Sequence, residues 1–178
     1  SIEDRGVKRA RFQVLREAAK VGAYDDMPML PEDIQVQVHL SRNDKPQPFH
    51  QICDKDILLF LLSGGAAVEM KGTPIDRFAL KPGDCVYVPA GTPHRIVPEG
   101  ESVMLRYKPQ PASLEGIAWF CAGCGAELHR QVWNENAVAS QTMFDTVSRL
   151  FAADVALRTC KGCGAVHPAP DVGAFRWT

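Results

Sequence analysis

Two groups of residues in this 178-residue chain have types and spacing suited to metal chemistry. Cys121-x-x-Cys124 and Cys160-x-x-Cys163 are each followed by a glycine, Gly125 and Gly164, which frees the backbone to fold round the sulfurs. Four thiolates make a closed tetrahedral site for zinc or iron, with no open position for a substrate, so the expected role is structural. Two disulfides or a redox-active Cys-x-x-Cys are the alternatives. Cys85 reads as an ordinary strand residue and Cys53 as a free loop thiol. His129 and His167 flank the knuckles, but four sulfurs already complete a shell. The second group centres on His94. It follows a short strand, Cys85–Val88, with Asp84, Val86 and Val88 on one face and Cys85 and Tyr87 on the other. Pro89 cannot donate to a ladder, so pairing should stop there, and Gly91 permits a sharp turn. A histidine delivered at the mouth of a small barrel is placed to hold a metal; a surface histidine after a turn is the plainer reading.

The spacing Gly83-x5-Pro89-x-Gly91-x-x-His94 resembles the second motif of the cupins, with Pro98 where an Asn often follows. The resemblance implies a barrel metal that draws its other ligands from an earlier motif. Upstream, His50 and Asp56 stand six apart. His50, Asp56 and His94 would form a 2-His-1-carboxylate set, whose open positions suit Fe(II) binding both substrate and O2.

Nearly the whole chain resembles the bacterial-type 3-hydroxyanthranilate 3,4-dioxygenases. The shared order is an N-terminal helix, His-x5-acid, the Gly/Pro/His motif, Trp119-Phe-Cys-x-x-Cys124 and a terminal Cys160-x-x-Cys-Gly-x-Val-His-Pro168. The resemblance implies Fe(II) bound by His, Glu and His, opening of an aromatic ring with adjacent hydroxyl and amino groups, a remote rubredoxin-like iron on the cysteines, and a homodimer. The departures are specific. Asp56 stands for the family's Glu. That Glu usually precedes a glycine by seven residues, whereas Asp56 plus seven is Ser63; counting back from Gly64 puts Ile57 at the ligand position, unless a one-residue bulge near Asp56 restores the match. The family's arginines four before the first metal His and four after the second become Pro46 (beside Lys45) and Pro98. Its Glu fifteen before the first tail Cys becomes Arg106. The expected function is a non-haem Fe(II) extradiol-type ring-cleaving dioxygenase for an o-aminophenol- or catechol-like aromatic, with O2, and not for 3-hydroxyanthranilate itself. Leu58, Phe60, Val86 and Val88 are expected to line the pocket. Arg106 either points inward to grip a substrate acid group, since a buried charge needs an anionic partner, or faces solvent. Two alternatives remain: a metal-dependent lyase or isomerase, and a non-catalytic ligand-binding or subunit cupin with a vacant barrel, which the Ile57 register favours.

The elements that must position these residues follow from periodicity. Residues 7–20 predict an amphipathic helix with a Phe12, Leu15, Ala18, Ala19 stripe. Ile34–Leu40 alternates as a half-buried strand with His39 on the solvent side, and Ser41–Pro48 predicts a loop. Short strands follow at Asp56–Leu62, Ala67–Lys71, Arg77–Leu80, Cys85–Val88, His94–Val97 and Ser102–Tyr107, with Gly64-Gly65, Gly72-Thr-Pro74 and Lys81-Pro-Gly-Asp84 as turns. Thr142–Ala153 has helical spacing. The expected fold is all-β: a cupin double-stranded β-helix or jelly-roll barrel with an N-terminal helix over residues 1–111, and a four-cysteine appendage over 112–178. The net charge of −1 argues against a nucleic-acid partner. The longest apolar run, Ile57–Leu62, is too short to span a bilayer. Arg5, Lys8, Arg9 and Arg11 without a following apolar run fit no signal peptide, and paired Cys-x-x-Cys motifs favour a reducing, cytoplasmic setting.

Overall fold

A computed structural model describes residues 13–30, 35–111, 113–175 and 177. Its strands are β1 (Met27–Pro28), β2 (Val36–Asn43), β3 (His50–Cys53), β4 (Ile57–Met70), β5 (Arg77–Leu80), β6 (Cys85–Val88), β7 (His94–Pro109), β8 (Leu114–Phe120) and β9 (Glu127–Asn134). The helices are α1 (Val14–Ala18), α2 (Ser140–Ala153) and α3 (Val155–Arg158). All strand pairs are antiparallel, in the order β1-β2-β7-β3-β8-β9, while β4 pairs with β5, β6 and β7. The long β7 is the hub, touching β2, β3 and β4.

The all-β cupin barrel expected from the sequence is the fold observed. Two of its strands are longer than predicted. The Gly64-Gly65 turn is a bulge inside continuous β4, with register shifts at Ser63 and Gly65 against β7. Gly64 is required there: its φ is +77°, and a Cβ would lie 2.1 Å from the Glu101 carbonyl oxygen. Likewise the two segments 94–97 and 102–107 are one strand, β7. The loop predicted from Ser41 begins later, because β2 continues to Asn43 paired with Ser102.

Among the described residues, three apolar clusters form the core. Inside the barrel pack Ile57, Leu59, Leu61, Val86, Val88 and Met104. Beneath α2 lie Phe49, Trp119 and Trp133, packed against Phe144 and Phe151 of the helix itself, with Trp119 stacked on Phe151 at 4.1 Å. The outer face of β2 and β7 (Val38, Leu40, Val103, Leu105) is covered by Ala18 and Val21. Each fully buried aliphatic side chain contributes on the order of 1.5–3 kcal/mol. β8 pairs with β3 as well as with β9, so sheet hydrogen bonding continues past residue 111 into the four-cysteine unit.

The helical stripes shift. Residues 7–12, including Phe12, lie outside the described residues, as does Ile34. In α1 the covered side is Val14 and Ala18; Leu15 and Ala19 are exposed. In α2 the buried residues are Phe144, Val147, Ser148 and Phe151, while Leu150 is exposed.

Candidate functional site

Strand register decides which side chains reach the barrel interior. Gln51 of β3 lies opposite His94 of β7, and residues directly opposite share a face. Both are buried, His94 completely. His50, one residue earlier, therefore turns to the other face. It is half-buried, stands edge-to-face to Phe120 at 5.0 Å, and lines a separate cavity with Glu69, Lys71 and Asp76. Asp56 is exposed, and its Oδ1 accepts a 2.8 Å hydrogen bond from the Ala90 amide. It also holds the Tyr87 hydroxyl, which raises that phenol's pKa. Asp56 thus ties down the turn that delivers His94, and its carboxylate is committed outside the barrel. The expected His50, Asp56 and His94 set is not brought together: among the described residues, the metal-competent group is the four cysteines.

The interior follows the register counted from Gly64. Ile57, 1 % exposed, points inward at the ligand position. Six residues before it stands Gln51, and four before that stands Gln47, both buried. One extra residue between His50 and Gly64 has turned the motif over, because a one-residue slip sends every side chain to the opposite face. The same alternation corrects the predicted lining. Leu58 is exposed on the outside, and Phe60 packs against Tyr107 on the outer face at 5.1 Å. Val86 and Val88 do face inward.

Arg106 points into the barrel. Its Nη1 donates to Nε2 of His94 at 3.1 Å, and its Nη2 donates to Oε1 of Gln51 at 3.0 Å. The other ring nitrogen of His94, Nδ1, faces the Thr92 carbonyl at 3.0 Å, which fixes the proton on Nδ1 and the lone pair on Nε2. Burial and then the Arg106 charge hold the His94 pKa at about 3, so the ring is neutral. Gln47 completes the cluster, donating to Gln51 Oε1 at 3.3 Å and accepting from the Ile96 amide at 3.2 Å. A cupin iron does not fit these residues. His94, the histidine of the second motif, already spends its free lone pair on a guanidinium, a cation stands where a cation would bind, and Ile57 has no donor.

Beyond Arg106 the polar chain continues. Gln51 Nε2 donates to Glu115 Oε2 at 3.3 Å, and Lys108 bridges Glu115 and Glu135. Burial works against the Lys108 charge, but the two carboxylates outweigh it and raise its pKa. These groups line a cavity of about 290 Å³ together with Asp26 and His39. His39 is half-buried opposite Arg106, not solvent-facing as expected, and burial lowers its pKa. Arg106 is 8 % exposed and, among the described residues, pairs with no carboxylate. Sequence reasoning passed over Gln47, Gln51, Lys108 and Glu115. The spacing to Gly64 was the signal for the first two.

At the cysteines the geometry fits a metal. The four sulfurs lie within 4.8 Å of one another, with Cys121–Cys163 and Cys124–Cys160 at 3.5 Å, close to the ~3.8 Å edge of a tetrahedral thiolate shell. Each knuckle repeats one turn: Gly125 and Gly164 have φ of +76° and +78° and donate to the Cys121 and Cys160 carbonyls. None of the six cysteines is in a disulfide, and Cys53 is buried at the end of β3, not in a loop. The sulfurs would carry zinc or iron as a structural clamp between two loops.

Residues 38–107 match the Cupin domain family. The 3-hydroxyanthranilate 3,4-dioxygenase of Ruegeria pomeroyi is 30% identical over 133 residues, 72% of this chain and 68% of that protein. The enzyme of the same name from Xanthomonas euvesicatoria is 27% identical over 115 residues, 63% of this chain and 64% of that one. The matched stretch thus spans under two thirds of several of these relatives. A solved structure of hydroquinone 1,2-dioxygenase from Sphingomonas sp. TTNP3 superposes with a TM-score of 0.48 at 16% identity, over 56% of this chain and 73% of that one.

Proposed function

The chain belongs to the 3-hydroxyanthranilate 3,4-dioxygenase family as a divergent member, and from that premise we propose that its barrel binds a small organic acid through Arg106 without a cupin iron. One observation carries this reading: a nine-tenths buried guanidinium sits on His94 Nε2 and faces a cavity, with no carboxylate of its own among the described residues. A buried charge without a counter-ion is costly, and hydrogen bonds to His94 and Gln51 engage only two of its five N–H groups. The remaining donors suit a carboxylate, which takes a guanidinium in bidentate fashion. Zinc or iron would remain at Cys121, Cys124, Cys160 and Cys163. β6 pairs with β4 alone, and a homodimer would cover such an edge; the unpaired thiols fit a cytoplasmic setting.

A second reading is favoured by the relatives' names and by His94 at the end of its motif: ring cleavage of an o-aminophenol- or catechol-like aromatic by O2. It requires Arg106 to leave His94, and His50 and Asp56 to change faces. A cupin lyase or isomerase requires the same. Calorimetric titration with benzoate and 3-phenylpropanoate decides. Acid binding that weakens at least ~30-fold in Arg106→Met supports the first reading. Oxygen consumption with 2-aminophenol that depends on added Fe(II) and on His94 supports the second.

A further inference from the structure

Resting on the reading of Arg106 as an acid grip, we propose that the acid held in this barrel also carries a basic aliphatic amine, so that the ligand is an α-amino acid in its zwitterionic form. The charges around the cavity point to it. Arg106 and Lys108 lie two residues apart on one face of β7, about 6.6 Å along the strand. Facing them are Glu115 on β8, Glu135 just past β9, and Asp26 just before β1. His39, opposite Arg106, is kept neutral by burial.

Lys108 is shared by Glu115 and Glu135, so two carboxylates face one ammonium there; burial raises the Glu115 pKa, against the pull of Lys108 and Arg106, while Glu135 is the more exposed of the two. Asp26 makes no hydrogen bond or ion pair with another described residue. The cavity therefore has a cation with no carboxylate in contact at its inner end, and more carboxylates than cations toward Asp26 and Glu135, where Lys108 faces three of them. A bare acid would satisfy Arg106 and add negative charge beside three carboxylates. A zwitterion satisfies both ends and adds no net charge, which matters most at the buried Arg106 end, where charge interactions are strong. An arylamine is unprotonated at neutral pH and would offer hydrogen bonds to the carboxylates but no cation. The volume of about 290 Å³ lies at the small end of ligand pockets.

The test is calorimetric titration of the metal-loaded full chain at pH 7 with L-leucine and L-phenylalanine, with the matching acids that lack the amine (4-methylpentanoate, 3-phenylpropanoate), with 2-phenylethylamine, and with 2-aminobenzoate. The expected result is that at least one amino acid binds, tenfold or more tighter than its acid, amine and arylamine counterparts, and that Asp26→Asn or Glu135→Gln removes most of that preference by weakening the amino acid, the plain acid binding as tightly as before or more tightly. Equal binding of amino acids and plain acids, lost in Arg106→Met, would overturn the amine requirement and leave the acid grip standing. Absence of binding by every carboxylate would overturn both. Preference for 2-aminobenzoate over the aliphatic amino acids would overturn the requirement for a protonated amine.

Discussion

Nη1 of Arg106 lies 3.1 Å from Nε2 of His94. That contact places a permanent positive charge against the lone pair that a cupin metal would use. The guanidinium is planar, cannot be deprotonated, and is held by Gln51 on its other branch. His94, Gln51 and Arg106 therefore form a closed polar knot in which the histidine acts as acceptor, not as ligand.

If the one-residue slip is what removed the metal site, the site should be restorable in the slipped register. The triple variant Gln51→His, Ile57→Glu, Arg106→Met places two histidines and a carboxylate at inward positions and removes the competing cation. It should bind one more equivalent of iron or another divalent metal than the parent chain, by elemental analysis. The same two ligand changes with Arg106 retained should not.

His94 also predicts a pH response. Its pKa is about 3 in the folded chain against an ordinary 6.5, so the unfolded chain takes up protons that the folded one refuses. Stability is complete above pH 6.5 and declines as pH falls from 6.5 toward 3, by about 1.4 kcal/mol per pH unit for this one group. His50, lowered to about 3 mainly by burial, acts in the same direction. Thermal unfolding from pH 7 to pH 4.5 should show this decline, and His94→Gln should flatten it.

Asp56 is a turn anchor in this account. Asp56→Ala removes the bond to the Ala90 amide and should cost about 1 kcal/mol in denaturant unfolding. Metal content and acid binding should be unchanged, whereas loss of a metal equivalent would return Asp56 to the role of ligand.

Removing the metal from the cysteines should loosen the knuckles without emptying the barrel. Cys124→Ser or prolonged chelation should release one equivalent of metal and lower the melting temperature. Acid binding should persist, because Trp119, Phe144 and Phe151 pack α2 against the sheet independently of the sulfurs. A barrel that loses acid binding together with the metal would show that the knuckles position the cavity.

The barrel was readable in the sequence because its punctuation is local. Pro89 ends β6 where a missing N–H must end it, and Cys85 and Tyr87 face outward as their alternation predicts. The cysteine cluster was readable because its spacing is the site. Two things were not. Gly64 reads equally as a turn or a bulge in sequence, and only the approach of the Glu101 carbonyl separates the two. The face of β3 was hidden as well, since His50 and Gln51 differ by one position and the choice depends on pairing with β7, forty-odd residues away. The same long-range pairing turned His39 inward and Phe60 outward. Arg106 pointed inward, one of two options open in the sequence, but its partner Gln51, and Gln47 behind that, are residues that composition never singles out.

The most direct test is metal content per chain after anaerobic iron loading, for the parent protein and for His94→Gln. One equivalent in both proteins, lost only when the cysteines are changed, is the result expected of a barrel closed by Arg106. Two equivalents in the parent falling to one in His94→Gln would contradict it and establish an iron centre in the barrel.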